Sequence, residues 1–219
     1  MVFEGKFDSP SKVIAAAISG LKCFQEYRLE GNQTKGVNIQ RRKDTKWKPP
    51  DEGVTKVNFD AAIDKPNNKV RLGIVARNYE GELLFSLCAS KMFSGSSDLA
   101  EAITLWRAME LVVELDGRNV AFEGDAERVI KGVAGKGIIC ASMAQLFDDM
   151  RSKLVHRKDW SMEFIYREGN SVAHELAKRA LRMEGECCWI EERPIEIVDI
   201  VKREMLCTNL EQHLVGDRV

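Results

Sequence analysis

Several features that would assign a chain at a glance are missing. The six cysteines, at positions 23, 88, 140, 187, 188 and 207, contain no Cys-x-x-Cys pair, and the only close ones are adjacent. Zinc-site spacing is therefore not met, and the cysteines read as reduced thiols of a cytoplasmic or nuclear protein. Charge of one sign is missing as well. Lysine plus arginine number 33 against 34 for aspartate plus glutamate, a net charge of −1, so no global field draws in a polyanion and any nucleic-acid contact must be local. Long apolar runs are also lacking. VIAAAISGL, between Lys12 and Lys22, falls well short of the roughly 20 residues a membrane-spanning helix needs. Glu4 and Asp8 stand where a secretory leader carries basic residues, which disfavours a signal peptide.

What is present is a globular composition. With 219 residues and 44% hydrophobic side chains, the chain can bury a core in one sizeable domain with appendages. Residues 1–30 read as an N-terminal helix, with Ser9 as cap, Pro10 at its first position and Val13, Ile14, Ala17, Ile18, Leu21 and Phe24 on one side. Residues 31–51 read as a basic linker, where Lys35, Arg41, Arg42, Lys43, Lys46 and Lys48 face only Asp44; a solvated tether accounts for this run better than a phosphate contact does.

A domain is expected over residues 52–183. VTKVNFDAAI, VRLGIVARN and ELLFSLCASKM read as three strands joined by turns at Asp64 to Asn68 and at Asn78 to Gly81. Leu99, Ala102, Ile103, Trp106, Met109 and Val113 mark a long helix, NVAFEGDA a fourth strand, AERVIKGVAG and SMAQLFDDMRSKLVHR two helices, and WSMEFIYRE a fifth strand. REGNSVAHELAKRAL then enters a helix, with Asn170 or Ser171 as the cap. The order β-β-β-α-β-α-α-β-α predicts an α/β fold, a five-stranded mixed sheet flanked by helices. Residues 184–219 read as a C-terminal extension, helical from Pro194 and a loose tail after Cys207.

Three acids fall where strand ends and helix starts can bring them together: Asp60 in the first strand, Glu101 at the head of the long helix, and Asp125 ending the fourth strand. Each has a plainer explanation. Asp98-Leu99-Ala100-Glu101 has capping-box spacing, which would make Glu101 a reciprocal cap. Asp125 could cap the next helix, and Asp60 could alternate outward with Lys56 and Asn58. Against this, Leu105, Ala108 and Val112 follow Glu101 on one helical stripe, where a lone carboxylate is costly. His174, in the first turn of its helix, is either an ordinary half-buried residue or a ligand.

Taken in order, these residues resemble the type 1 ribonuclease H superfamily, and more narrowly the ribonuclease H-like domains of plants, related to the tail of plant retrotransposon reverse transcriptases. The resemblance rests on WKPPDEGVTKVNFDAA (47–62), LAEAITLWRAMEL (99–111), FEGDAERVI (122–130) and REGNSVAHELAK (167–178). It implies a ribonuclease H-like fold in which Asp60, Glu101, Asp125 and His174 form a catalytic, metal-holding set. The implied cofactor is Mg²⁺, with Mn²⁺ as alternative. The implied activity is two-metal endonucleolytic hydrolysis of the RNA strand of an RNA–DNA hybrid. The implied partner is that hybrid or another nucleic acid; no membrane is involved, and protein partners are not indicated. Two positions depart from the pattern. Position 174 carries histidine where four-carboxylate relatives have aspartate, and Ala61 replaces the commoner glycine. These departures favour a rival reading, a catalytically weak or inactive module that binds nucleic acid or protein.

Overall fold

The structure, a computed structural model, describes residues 46–136 and 140–216. The expected N-terminal helix and most of the basic linker lie outside the described residues. Strands β1 (Thr55–Asp64), β2 (Lys69–Arg77) and β3 (Leu83–Met92) form an antiparallel meander. Its turns have local causes. Pro66 starts a tight 3₁₀ turn that ends on Asn68 at φ 49°, a left-handed conformation that asparagine tolerates. In the next turn Asn78 Oδ1 accepts the backbone N–H groups of Glu80 and Glu82, while Gly81 takes a φ of 80°.

Helix α1 (Ser97–Glu114) follows, then strand β4 (Val120–Gly124), helices α2 (Glu127–Val133) and α3 (Ala144–His156), strand β5 (Trp160–Phe164) and helix α4 (Ser171–Arg179). A further strand, β6 (Gly185–Ile190), precedes the last helix, α5 (Ile195–Gly216). The sheet therefore has six strands, in the order β5-β4-β1-β2-β3-β6, and not the five expected. In the sixth strand Cys187 and Trp189 are half-buried while Glu186, Cys188 and Ile190 are exposed, an alternation that the apolar run Cys187 to Ile190 does not display in its residue types. Helix α5 also runs past Cys207, where Leu206, Leu210 and Leu214 continue a helical spacing.

Each sheet face is covered. On one side Val57, Phe59, Leu72, Ile74 and Phe122 lie under Leu105, Met109, Val112 and Phe147 of α1 and α3. At roughly 1.5–3 kcal/mol for each fully buried large apolar side chain, this core supplies most of the stability. On the other side Val75 and Cys88 meet Leu176 of α4 and Ile197 and Val201 of α5. Helix α4 lies unusually close: a Cβ on Gly73 would sit 2.1 Å from the Ala173 carbonyl oxygen. Only a bare backbone at position 73 lets the helix carrying His174 rest directly on the sheet.

Candidate metal centre between β1 and the end of β4

Strands β1 and β4 are adjacent and parallel, with Phe59 opposite Gly124 as their last registered pair. Asp60 and Asp125 each come one residue later, where β4 ends and β1 runs on toward Asp64, so the two acids lie side by side at the carboxyl end of β4, where α/β proteins open their crevices. The approach needs Gly124 to be bare, because a Cβ there would fall 2.4 Å from the Phe59 ring. Helix α1 delivers the third acid. Its N-cap is Ser96, whose side chain accepts the Leu99 N–H. Glu101 is thus a turn inside the helix and free of capping duty, and its Oε1 accepts the Ala61 N–H at 3.3 Å.

None of the plainer explanations holds for the acids. The cap position of α2 is Ala126, with no side-chain cap hydrogen bond, so Asp125 is not a cap. Asp60 does not alternate out to solvent, since Lys56, Asn58 and Asp60 are all buried. Instead, ligand atoms of Asp60, Glu101 and Asp125 all lie within 4.8 Å of one another. Asp60 Oδ1 and Glu101 Oε2 are buried without a hydrogen-bond partner. Burial, then the charges of Asp60 and Asp125, pushes the Glu101 carboxyl well above its usual range. Burial also raises Asp60, against the opposing pull of its hydrogen bond with His174. Orphaned oxygens on crowded carboxylates are a donor set suited to a hard divalent cation, which removes the repulsion and supplies the missing partner.

His174 is held beside this triad. Its Nδ1 lies 2.8 Å from Asp60 Oδ2, and Nη2 of Arg167 lies 3.1 Å from Nδ1 and 3.2 Å from Nε2. Nη2 is thus nearly equidistant from the two ring nitrogens and lies against the imidazole, while Nδ1 faces Asp60. Two residues that motif reasoning did not single out complete the site. Arg167 also reaches Asp125 Oδ2 at 3.3 Å and so sets one positive charge at the edge of the cluster. Asn170 does not use its side chain as a helix cap; its Nδ2 donates to the Phe59 carbonyl at 2.8 Å, pinning the start of α4 beside Asp60. The available signal was their position, seven and four residues before His174 at a loop-to-helix junction.

The reverse transcriptase-like family matches the chain over residues 58–180. Among solved structures, ribonuclease H1 from the halophilic archaeon Halobacterium salinarum superposes with a TM-score of 0.55 at 22% identity, over 59% of this chain and 98% of that one. The N-terminal ribonuclease H domain of a Mycobacterium tuberculosis protein gives 0.53 at 16% identity, over 59% and 94%. LC11 ribonuclease H1, crystallised in complex with an RNA/DNA hybrid, gives 0.52 at 19% identity, over 58% and 96%. No curated protein sequence matches the chain. Among the described residues no helix is long and apolar enough to cross a membrane. The six-stranded mixed sheet with helices on both faces is a ribonuclease H fold, and the chain belongs to the reverse transcriptase-like family.

Proposed function

We propose that this protein hydrolyses the RNA strand of RNA–DNA hybrids at Asp60, Glu101, Asp125 and His174, using Mg²⁺ or, as alternative, Mn²⁺. The observation that carries this reading is the convergence of three carboxylates within 4.8 Å, two of them with buried, unpartnered oxygens. Divalent ions held there would supply an activated water and would stabilise the departing oxygen of the phosphodiester.

The chain's own residues divide the work. Asp60, lying between its two acidic partners and His174, holds the shared position. Glu101 is kept in place by the Ala61 N–H and Asp125 by its place one residue beyond the strand end. His174 orients Asp60 and, with one nitrogen where a carboxylate offers two oxygens, is a weaker fourth ligand that favours Mn²⁺ more than an aspartate would. As the most exposed member of the set, it is also placed to pass a proton near the leaving oxygen. Selection of the RNA strand would use its 2′-hydroxyls. We further propose a relation to the tail of plant retrotransposon reverse transcriptases, on the strength of the motifs named above, and a cytoplasmic or nuclear location, on the cysteine pattern.

A second reading has a specific observation in its favour: Arg167 already neutralises part of the cluster through Asp125. That would suit a weak or inactive module retained for binding nucleic acid or protein. Incubation with a labelled hybrid and either metal separates the two. Cleavage that needs metal and disappears in Asp125→Asn supports the enzyme. Binding of the hybrid with no cleavage in either metal leaves the module.

A further inference from the structure

Strands β3 and β6 pair antiparallel with Cys88 directly opposite Cys187. Directly opposed residues of an antiparallel pair put their side chains on the same face, with Cα atoms about 4.5–5.5 Å apart, inside the range of about 4.4–6.8 Å that a disulfide spans. The shared face is the one under α4 and α5, where Cys88 is fully buried and Trp189, two residues from Cys187, packs. The Cys187 charge reaches Cys88 as well, in keeping with two neighbouring sulfurs. The two cysteines differ in access: Cys88 is enclosed, while Cys187 is half-buried on an edge strand.

We infer that Cys88 and Cys187 form a reversible cross-strand disulfide when the protein meets a peroxide. The Cys187 thiolate would attack one peroxide oxygen, breaking the O–O bond. The released hydroxide takes up a proton as water and leaves a sulfenic acid on Cys187. The Cys88 sulfur then displaces that hydroxyl, its own proton leaving with it as a second water. Two thiols are thereby oxidised by two electrons while one peroxide is reduced. Cys187 takes the first step because burial pushes the Cys88 thiol up to about 12, which makes it the slow, resolving partner.

The bond has a consequence for α4. In the reduced protein the Cys88 thiol donates to the Leu176 carbonyl at 3.1 Å, two residues beyond His174. A disulfide sulfur has no hydrogen to donate, so closure removes this tether between the sheet and the helix that carries His174. It also staples β6 to the body of the sheet across a long sequence separation, which restricts the unfolded chain and raises the melting temperature.

The test treats the full chain with hydrogen peroxide, blocks free thiols in denaturant and maps peptides by mass spectrometry. The expected result is a Cys88–Cys187 linked peptide, lost on adding dithiothreitol and accompanied by a higher melting temperature. In Cys88→Ser, a dimedone-trapped sulfenic acid accumulates on Cys187 instead. Cys187→Ser, altered at a half-buried edge, keeps the fold and leaves Cys88 fully alkylatable after the same treatment. The His174 ring resonance should move on oxidation of the unaltered chain and stay still in Cys187→Ser. Cys187 joined to a cysteine other than Cys88, or driven to sulfinic acid with Cys88 still free, overturns the inference. None of these readouts depends on hybrid cleavage, so the disulfide and the nuclease reading fail separately.

Discussion

At the near end of β1, Lys56 and Asn58 bury their polar atoms among matched partners; at the far end, on the same strand, Asp60 buries a carboxylate among other carboxylates. The Lys56 ammonium lies 2.7 Å from Glu123 Oε1, and Asn58 Nδ2 donates to Glu123 Oε2 at 3.0 Å. Asn58 Oδ1 accepts from Trp47 Nε1 and from Arg77. Arg77, only 1% exposed, pairs with Glu204 of α5 at 2.5 Å and lies flat on the Trp47 ring with 3.5 Å to its centroid. Burial pulls Arg77 down and Glu204 up, as it raises Asp60 and Glu101, but every charge in this network has a partner of opposite sign. The contrast teaches how to read a buried acid. Where the chain needs a buried acid for structure it sets a buried cation against it, and where three acids crowd together with the exposed Arg167 at their edge the remaining positive charge has to come from outside.

The largest effect should follow from breaking the unbalanced end. Asp125→Asn is predicted to abolish metal-dependent cleavage of a labelled hybrid, a loss greater than the roughly 10- to 100-fold that changing an outer partner of a metal site costs. The apo protein should meanwhile melt no lower than the parent, because a mutual repulsion is removed. A marked loss of apo stability would show the carboxylate to be structural, and the contrast would fail.

The balanced end should respond in the opposite way. Arg77→Met removes the guanidinium that faces Glu204 and one of the two donors to Asn58 Oδ1 in a buried site, and a destabilisation of about 3–5 kcal/mol in urea unfolding is expected. Replacing Arg77 and Glu204 together with methionine should recover most of that loss, since a buried pair is often no better than apolar packing of similar volume. Failure of the double variant to recover would mean that the network does more than neutralise itself. A smaller structural cost is expected at Gly124→Ala, where the new methyl group meets the Phe59 ring. Overpacking of this kind costs about 1–3 kcal/mol, and because Gly124 immediately precedes Asp125 and Phe59 immediately precedes Asp60, metal affinity should fall with stability.

These two regions were not equally legible in the sequence. The three acids stood out by their order along the chain, although each alone had a plainer local explanation, and strand order alone brings Asp60 and Asp125 together. The fold was readable because period-two and helical spacings agree with turn residues such as Pro66, Asn68 and Gly81. Strand β6 escaped because GECCWI is short and runs straight into charged residues and Pro194. The Arg77 network escaped altogether. Lys56 and Asn58 alternate like outward-facing polar residues, and only the packing of α5 and Trp47 over that face reveals that they are buried. Arg167 and Asn170 were hidden similarly, inside a motif whose apolar spacing and histidine drew the reading.

The pH dependence offers a finer test of the acid cluster. In the folded apo protein Glu101, and to a lesser degree Asp60, holds its proton to a higher pH than in the unfolded chain, where carboxyls titrate near 4. Between those values the folded state binds more protons than the unfolded one, so stability is fully present at low pH and is lost as pH rises through the folded value. In EDTA the melting temperature should therefore decline with rising pH, and Glu101→Gln should flatten the decline. Glu204 adds a slope of the same sign in both proteins, so the difference between the two curves isolates the cluster. Added Mg²⁺ or Mn²⁺ should restore stability most at the higher pH.

The smallest expected effect belongs to Arg167, the cation that, among the described residues, the chain itself pairs with Asp125. Its side chain is 62% exposed, so its ion pair with Asp125 lies in high dielectric and is worth no more than about 0.2–1 kcal/mol. Arg167→Gln should consequently leave the melting temperature of the apo protein nearly unchanged. Any metal entering the cluster competes with that ion pair, however, and removal of the guanidinium should lower the half-saturating Mn²⁺ concentration, read by calorimetry, by no more than about fivefold. It also frees Nε2 of His174, so the gain should shrink when His174 is replaced by glutamine in the same protein. If Arg167→Gln weakens Mn²⁺ binding instead, the guanidinium is holding Asp125 and His174 in place for the ion, and the cluster is less unbalanced than its orphaned oxygens indicate.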